Sequence, residues 1–191
     1  MKKILCLMIA LWVFFPVCCR KEEENSRYNR FTVDESIPLN DTVKRLSKYP
    51  ELQLYNGERI ESPARTAWII QQASYSDGLF PALSFQFADY KCNARYSKDT
   101  MDILLNNYNG YFGNGVLVKV FKDRFFIRDI DPKTLKGETK FIRSVPAYQK
   151  IKLHQASFEK GDSIYGFIDY TTRIDSVITK NFKGYFKTII K

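Results

Sequence analysis

From Ile4 to Phe15 the chain is apolar without interruption, and no later stretch repeats that pattern. At about 1.5 Å per residue these positions make roughly 18 Å of helix, short of a hydrocarbon core of roughly 30 Å. Lys2 and Lys3 precede the run, and Arg20-Lys21-Glu22-Glu23-Glu24 closes it with charge. A positive flank, a short apolar core and an abrupt polar boundary predict a cleavable signal peptide over residues 1–18. Residues 19–30 then form a polar tether, because charged stretches poor in apolar residues do not collapse. A single domain over residues 31–191 follows.

Within that domain the pattern switches to short runs of period two, the mark of half-buried strands. Leu83-Ser84-Phe85-Gln86-Phe87-Ala88 alternates in this way. Val116 to Phe121 and Arg124 to Arg128 are separated by Lys122-Asp123 alone, which predicts a hairpin without the usual glycine. In Gln149 to His154, Ile151 and Leu153 share one face, while Lys150, Lys152 and His154 share the other. Phe158 to Asp162 reads as a turn in which Gly161 takes positive φ. Strands follow from Ser163 to Tyr170 and from Lys183 to Ile190. Asp131-Pro132 and Lys136-Gly137 mark a loop. Helical signals are few. Asp41 could start a helix through Val43 and Leu46, stopped before Pro50; Asp99 could cap another carrying Met101, Leu104, Leu105 and Tyr108. Ala64 to Ala73 suits either state. The expected fold is therefore mainly β, an antiparallel β-sandwich with one or two short helices, with α+β as the alternative.

Three local resemblances extend this reading. Pro16-Val17-Cys18-Cys19 resembles the bacterial lipoprotein signal, in which small residues precede a cysteine that is acylated and becomes the mature N-terminus. The resemblance implies lipidation at Cys19, with Cys18 as the alternative, and a bilayer partner reached through the acyl anchor. Lys21-Glu22-Glu23-Glu24 looks like the export signal of Bacteroidetes surface lipoproteins. It implies an outer-membrane protein displayed at the cell surface, a periplasm-facing anchor being the alternative. Tyr148 to Tyr170, with its Phe-Glu-Lys-Gly-Asp-Ser-Ile-Tyr-Gly core, resembles the strand–turn–strand of immunoglobulin-like sandwich modules, which implies antiparallel sheets and no particular activity.

Of the four cysteines, Cys6, Cys18 and Cys19 belong to the signal or its end. Cys92 is thus left as a buried small hydrophobe, without an internal disulfide partner after processing. The formal net charge of +9, about +7 once Lys2 and Lys3 are removed with the signal peptide, is spread among acidic residues rather than gathered in a block. It favours attraction to anionic partners such as lipopolysaccharide or acidic glycans. Nucleic acid is not expected, since export removes it and no recognition motif appears.

Catalytic chemistry finds little support. His154 is the single histidine, and its period-two face, shared with lysines, points it to water, away from any pairing with Cys92. Asp129 and Asp131 would share a strand face as paired acid–base carboxylates do, but beside Pro132 they read as solvated turn acids. Neither a serine-nucleophile elbow nor a phosphate-cradling glycine loop is present. No cofactor or metal is expected. The one candidate binding segment is Asn106 to Gly115, where Tyr108, Asn109, Tyr111 and Phe112 combine rings and amides suited to sugar faces and hydroxyls. The expected function is non-enzymatic binding of a glycan or an envelope protein; an immunity or inhibitor lipoprotein that neutralises a secreted toxin is the alternative.

Overall fold

The computed structural model describes residues 28–46, 50–53, 59–61, 66–75, 83–107, 115–131, 140–174 and 178–191. In chain order these form β1 (Asn29–Arg30), β2 (Thr32–Val33), a 3-10 turn (Ile37–Leu39), α1 (Asp41–Arg45), β3 (Pro50–Gln53) and β4 (Arg59–Glu61). Then come β5 (Ala67–Tyr75), β6 (Leu83–Ser97), β7 (Thr100–Asn106), β8 (Gly115–Phe121) and β9 (Arg124–Asp131). The chain ends with β10 (Lys140–Phe141), β11 (Val145–Leu153), β12 (Ser163–Ile174) and β13 (Ile178–Ile189).

One sheet dominates, in the order β1-β9-β8-β7-β6-β5-β13-β12-β11-β2, with β10 also on β9 and a separate β3–β4 ribbon. Its fifteen-residue strand β6 joins two halves. Residues up to Tyr90 pair with β5, whereas Lys91 to Ser97 pair with β7. The two halves share one core that includes Ile69, Tyr90, Ile103, Val118, Phe125, Ile151, Ile168 and Phe186. The architecture is thus mainly β and sandwich-like, as the alternation predicts. β12 shows the cause directly: Ile164, Gly166, Ile168, Tyr170 and Thr172 are buried while their alternate neighbours are not. The antiparallel pairing implied by the resemblance of Tyr148 to Tyr170 is present, with β11 antiparallel to β12. Long strands adjacent in sequence are mostly adjacent in space, and β13 returns to β5, so the chain runs up and down instead of crossing between sheets.

Two close approaches shape the closure. Gly166 faces Phe186 across β12 and β13, where a Cβ would meet the ring at 2.2 Å. Gly184 lies against the backbone of β5, where a Cβ would meet the Trp68 carbonyl oxygen at 2.0 Å. Outside this core, the 3-10 turn packs on β12 and α1 on β13, burying Ile37, Val43 and Leu46. α1 starts at Asp41 as expected, capped by Asn40, whose side chain accepts the Thr42 N–H at 2.9 Å.

The hairpin β8–β9 forms as expected, with Lys122 in the left-handed region (φ 53°) where glycine is usual. Gly161 takes φ 98° in the predicted turn. The ambiguous segment becomes β5. The helix expected after Asp99 is overturned: Thr100–Asn106 is a strand paired on both sides. Met101, Leu104 and Leu105 fit a helical spacing, but Met101, Ile103 and Leu105 recur at period two, and both neighbouring strands select the latter pattern.

Candidate ligand groove

Strands β9 and β11 flank a seam that no ladder closes among the described residues. The edge of β9 is occupied piecemeal: β1 pairs with Arg124 and Phe125, and β10 with Ile130 and Asp131. Between them the Ile127 N–H donates to Gln149 Oε1 at 3.3 Å, and Ile142 N–H donates to the Asp129 carbonyl at 3.0 Å. Asn29 Nδ2 reaches the Gln149 carbonyl at 3.3 Å from the same side. On β11, which carries Pro146, the ladder with β12 shifts register between Pro146 and Tyr148. Side chains therefore bridge the seam and leave an open groove of about 530 Å³.

Tyr28, Phe126, Arg128, Phe141, Arg143 and Ser144 are its principal walls. Alternation along β9 sends Phe125, Ile127 and Asp129 inward and leaves Arg128 exposed, with Phe126 half-buried beside it. The Arg128 guanidinium lies 5.4 Å from the Phe126 ring centre and 5.0 Å from that of Phe141. Rings attract a cation through their negative faces, so this arginine is held in place. Tyr28 packs edge-on to Phe126 at 5.3 Å and to Phe121 at 4.9 Å. Among the described residues the lining contains two guanidiniums and no carboxylate. Neither arginine joins an ion pair among the described residues.

Behind the groove lies a buried polar cluster. Asp129 is 1% exposed, and its Oδ2 accepts from Ser144 Oγ at 2.6 Å and from Tyr170 Oη at 2.7 Å. Its Oδ1 has no hydrogen-bond partner. The solvated turn acid expected at this position is thus corrected, because β9 continues inward past it; the Asp131 side chain lies outside the described residues. Tyr90 donates to Gln71 Oε1 at 2.6 Å. Burial first, and then the charge of Asp129, push the Tyr90 and Tyr170 phenols well above their ordinary range, so both remain donors.

A second hollow of about 380 Å³ is bounded by Asp34, Ser36, Asn40, Lys152, Phe167 and Tyr185. Its polar groups are already engaged. Lys152 Nζ meets Asp34 Oδ2 at 2.8 Å, and the hydrogen bonds from Lys152 and then Ser36 hold the Asp34 carboxyl down at about 2. Asn40 caps α1. This hollow fastens the helical segment to the sheet.

His154 departs from the exposed position expected for it. It is half-buried, 5.0 Å from the Tyr165 ring and 5.4 Å from Phe158, and its Nδ1 accepts the Tyr165 N–H. Burial lowers its pKa below the usual 6.5. The unfolded chain therefore binds more protons there, and stability should fall as pH drops from 6.5 through the folded value. NMR titration should place the His154 midpoint below 6.5, and His154→Gln should flatten that part of the stability profile. Cys92 is buried as expected, with its thiol pushed up by burial. It faces the shared core.

Of the sites expected from sequence, Cys19 lies outside the described residues, as do Tyr108, Asn109, Tyr111 and Phe112. The groove instead joins Tyr28, β9 and the segment 141–149. One signal for it was legible: the outward period-two positions of β9, where Phe126 and Arg128 fall side by side. The chain matches no protein-family model, and neither a curated protein nor a solved structure shows significant similarity to it.

Proposed function

We propose that this protein is an exported, lipid-anchored binding module without enzymatic activity, and that its ligand, on a glycan or a partner protein, is anionic and seats in the seam groove. The observation that carries this reading is Arg128, held over Phe126 and Phe141, with Arg143 also lining the groove and neither arginine in an ion pair among the described residues. A concave site of this volume, with aromatic walls and a few placed polar groups, is of the kind that takes small ligands. Its sign selects negative charge, and the net charge, +9 for the whole chain and about +7 once Lys2 and Lys3 are removed with the signal peptide, adds attraction at longer range. The acyl anchor at Cys19 and the tether after it, which ends where Tyr28 and β1 join the sheet, would hold this groove at the outer-membrane surface.

Cells producing the full chain test both halves of the proposal. A palmitate analogue should label the wild type and leave Cys19→Ala unlabelled. External protease should remove the protein from intact cells, and replacing Lys21 to Glu24 by alanine should protect it. In detergent extracts, oligogalacturonate, hexaglutamate and lipopolysaccharide serve as anionic probes. At least one should bind, and the Arg128→Ala/Arg143→Ala double variant should weaken it tenfold or more, about 1.4 kcal/mol. Equal binding of every probe by wild type and double variant would remove the groove from the function.

A further inference from the structure

We infer that the ligand of the groove is an acidic sugar, recognised by its ring and its carboxylate together; the inference rests on the reading of the seam as the ligand site. Two macromolecular classes carry suitable negative charge, acidic peptides and acidic glycans, and the seam distinguishes them. A peptide bound along an open seam gains most from main-chain pairing with the strand edges. That pairing is already used up on β9, where β1, β10 and the Gln149 side chain take the edge in turn. On β11, Pro146 has no N–H to offer a peptide strand, and the β11–β12 ladder shifts register between Pro146 and Tyr148, so this stretch is a poor template for regular pairing.

What the groove offers instead is side chains. Phe141 is 45% exposed, and Tyr28 also lines the groove. Flat apolar faces of this kind stack on the C–H faces of a sugar ring. A guanidinium placed over two rings keeps its N–H groups at its edge, the arrangement that matches both oxygens of a carboxylate. Ser144 spends its proton on Asp129, so its oxygen is an acceptor for a sugar hydroxyl. Ring, carboxylate and hydroxyl are together the chemistry of a uronic-acid unit.

The test uses the full chain in detergent with trigalacturonate, triglucuronate, their methyl esters and hexaglutamate, followed by calorimetry. One of the two acidic trisaccharides should bind at least tenfold more tightly than its methyl ester and than hexaglutamate. Phe141→Ala should weaken it about fivefold or more without altering hexaglutamate binding. Arg128→Lys should not restore the affinity lost in Arg128→Ala, since an ammonium lacks the planar fork. Hexaglutamate equal to the sugars, or methyl esters equal to the acids, would overturn the acidic-sugar assignment while leaving an arginine-dependent anion site intact. Loss of arginine dependence for all of these probes would instead overturn the groove itself.

Discussion

Gly184→Ala should destabilise the protein by about 3 kcal/mol or more, the upper end of what overpacking usually costs. Gly184 lies in the register row Ile168–Gly184–Ile69, where the last long strand closes on β5. An added Cβ would sit 2.0 Å from the Trp68 carbonyl oxygen and 2.7 Å from the Ile69 Cα. Both are backbone atoms and cannot rotate aside, so β13 would have to slide away from β5. Gly161→Ala supplies the comparison. Its backbone is left-handed (φ 98°), but nothing lies within 4 Å of the added carbon. It should cost about 1–2 kcal/mol, the local penalty of that conformation alone. Urea denaturation of both variants checks the difference. If Gly184→Ala costs no more than Gly161→Ala, the close approach of β13 to β5 is wrong.

Tyr170→Phe should cost about 1.5–3 kcal/mol, the range for a hydrogen bond to a charged group. The ring still fills its place in the core, so the loss isolates the hydroxyl. Asp129 then keeps Ser144 as its one side-chain donor while remaining almost fully buried. Tyr170→Phe combined with Ser144→Ala should cost more than the two separate losses added together, because the second change strips the carboxylate of its last side-chain donor. A loss under about 0.5 kcal/mol in Tyr170→Phe would mean that Asp129 does not depend on this bond. Anion binding in the groove should survive Tyr170→Phe, since the phenol faces the interior and both arginines are untouched.

Local chemistry was legible along much of the chain. The β8–β9 hairpin, the β11–turn–β12 unit, the positive φ at Gly161 and the burial of Cys92 each follow from a few neighbouring residues. Period-two alternation and turn residues act over short range and need no partner to be recognised. Met101, Ile103 and Leu105 show the limit. Their spacing serves a strand and, with Leu104, also suggests a helix; the choice falls to β6 and β8, which offer ladders on both sides. Asp129 shows it again, since its closeness to Pro132 in sequence says nothing about Tyr170, forty-one positions away. The groove is the extreme case. Tyr28, Arg128 and Phe141 acquire a common wall because the sheet's ends meet at β9 and β11 without pairing. The sequence by itself determined which residues face inward and where the chain turns, because those depend on side-chain period and backbone freedom at single positions. Which strand ends meet, and what their side chains build between them, was decided by the long-range register and closure of the sheet.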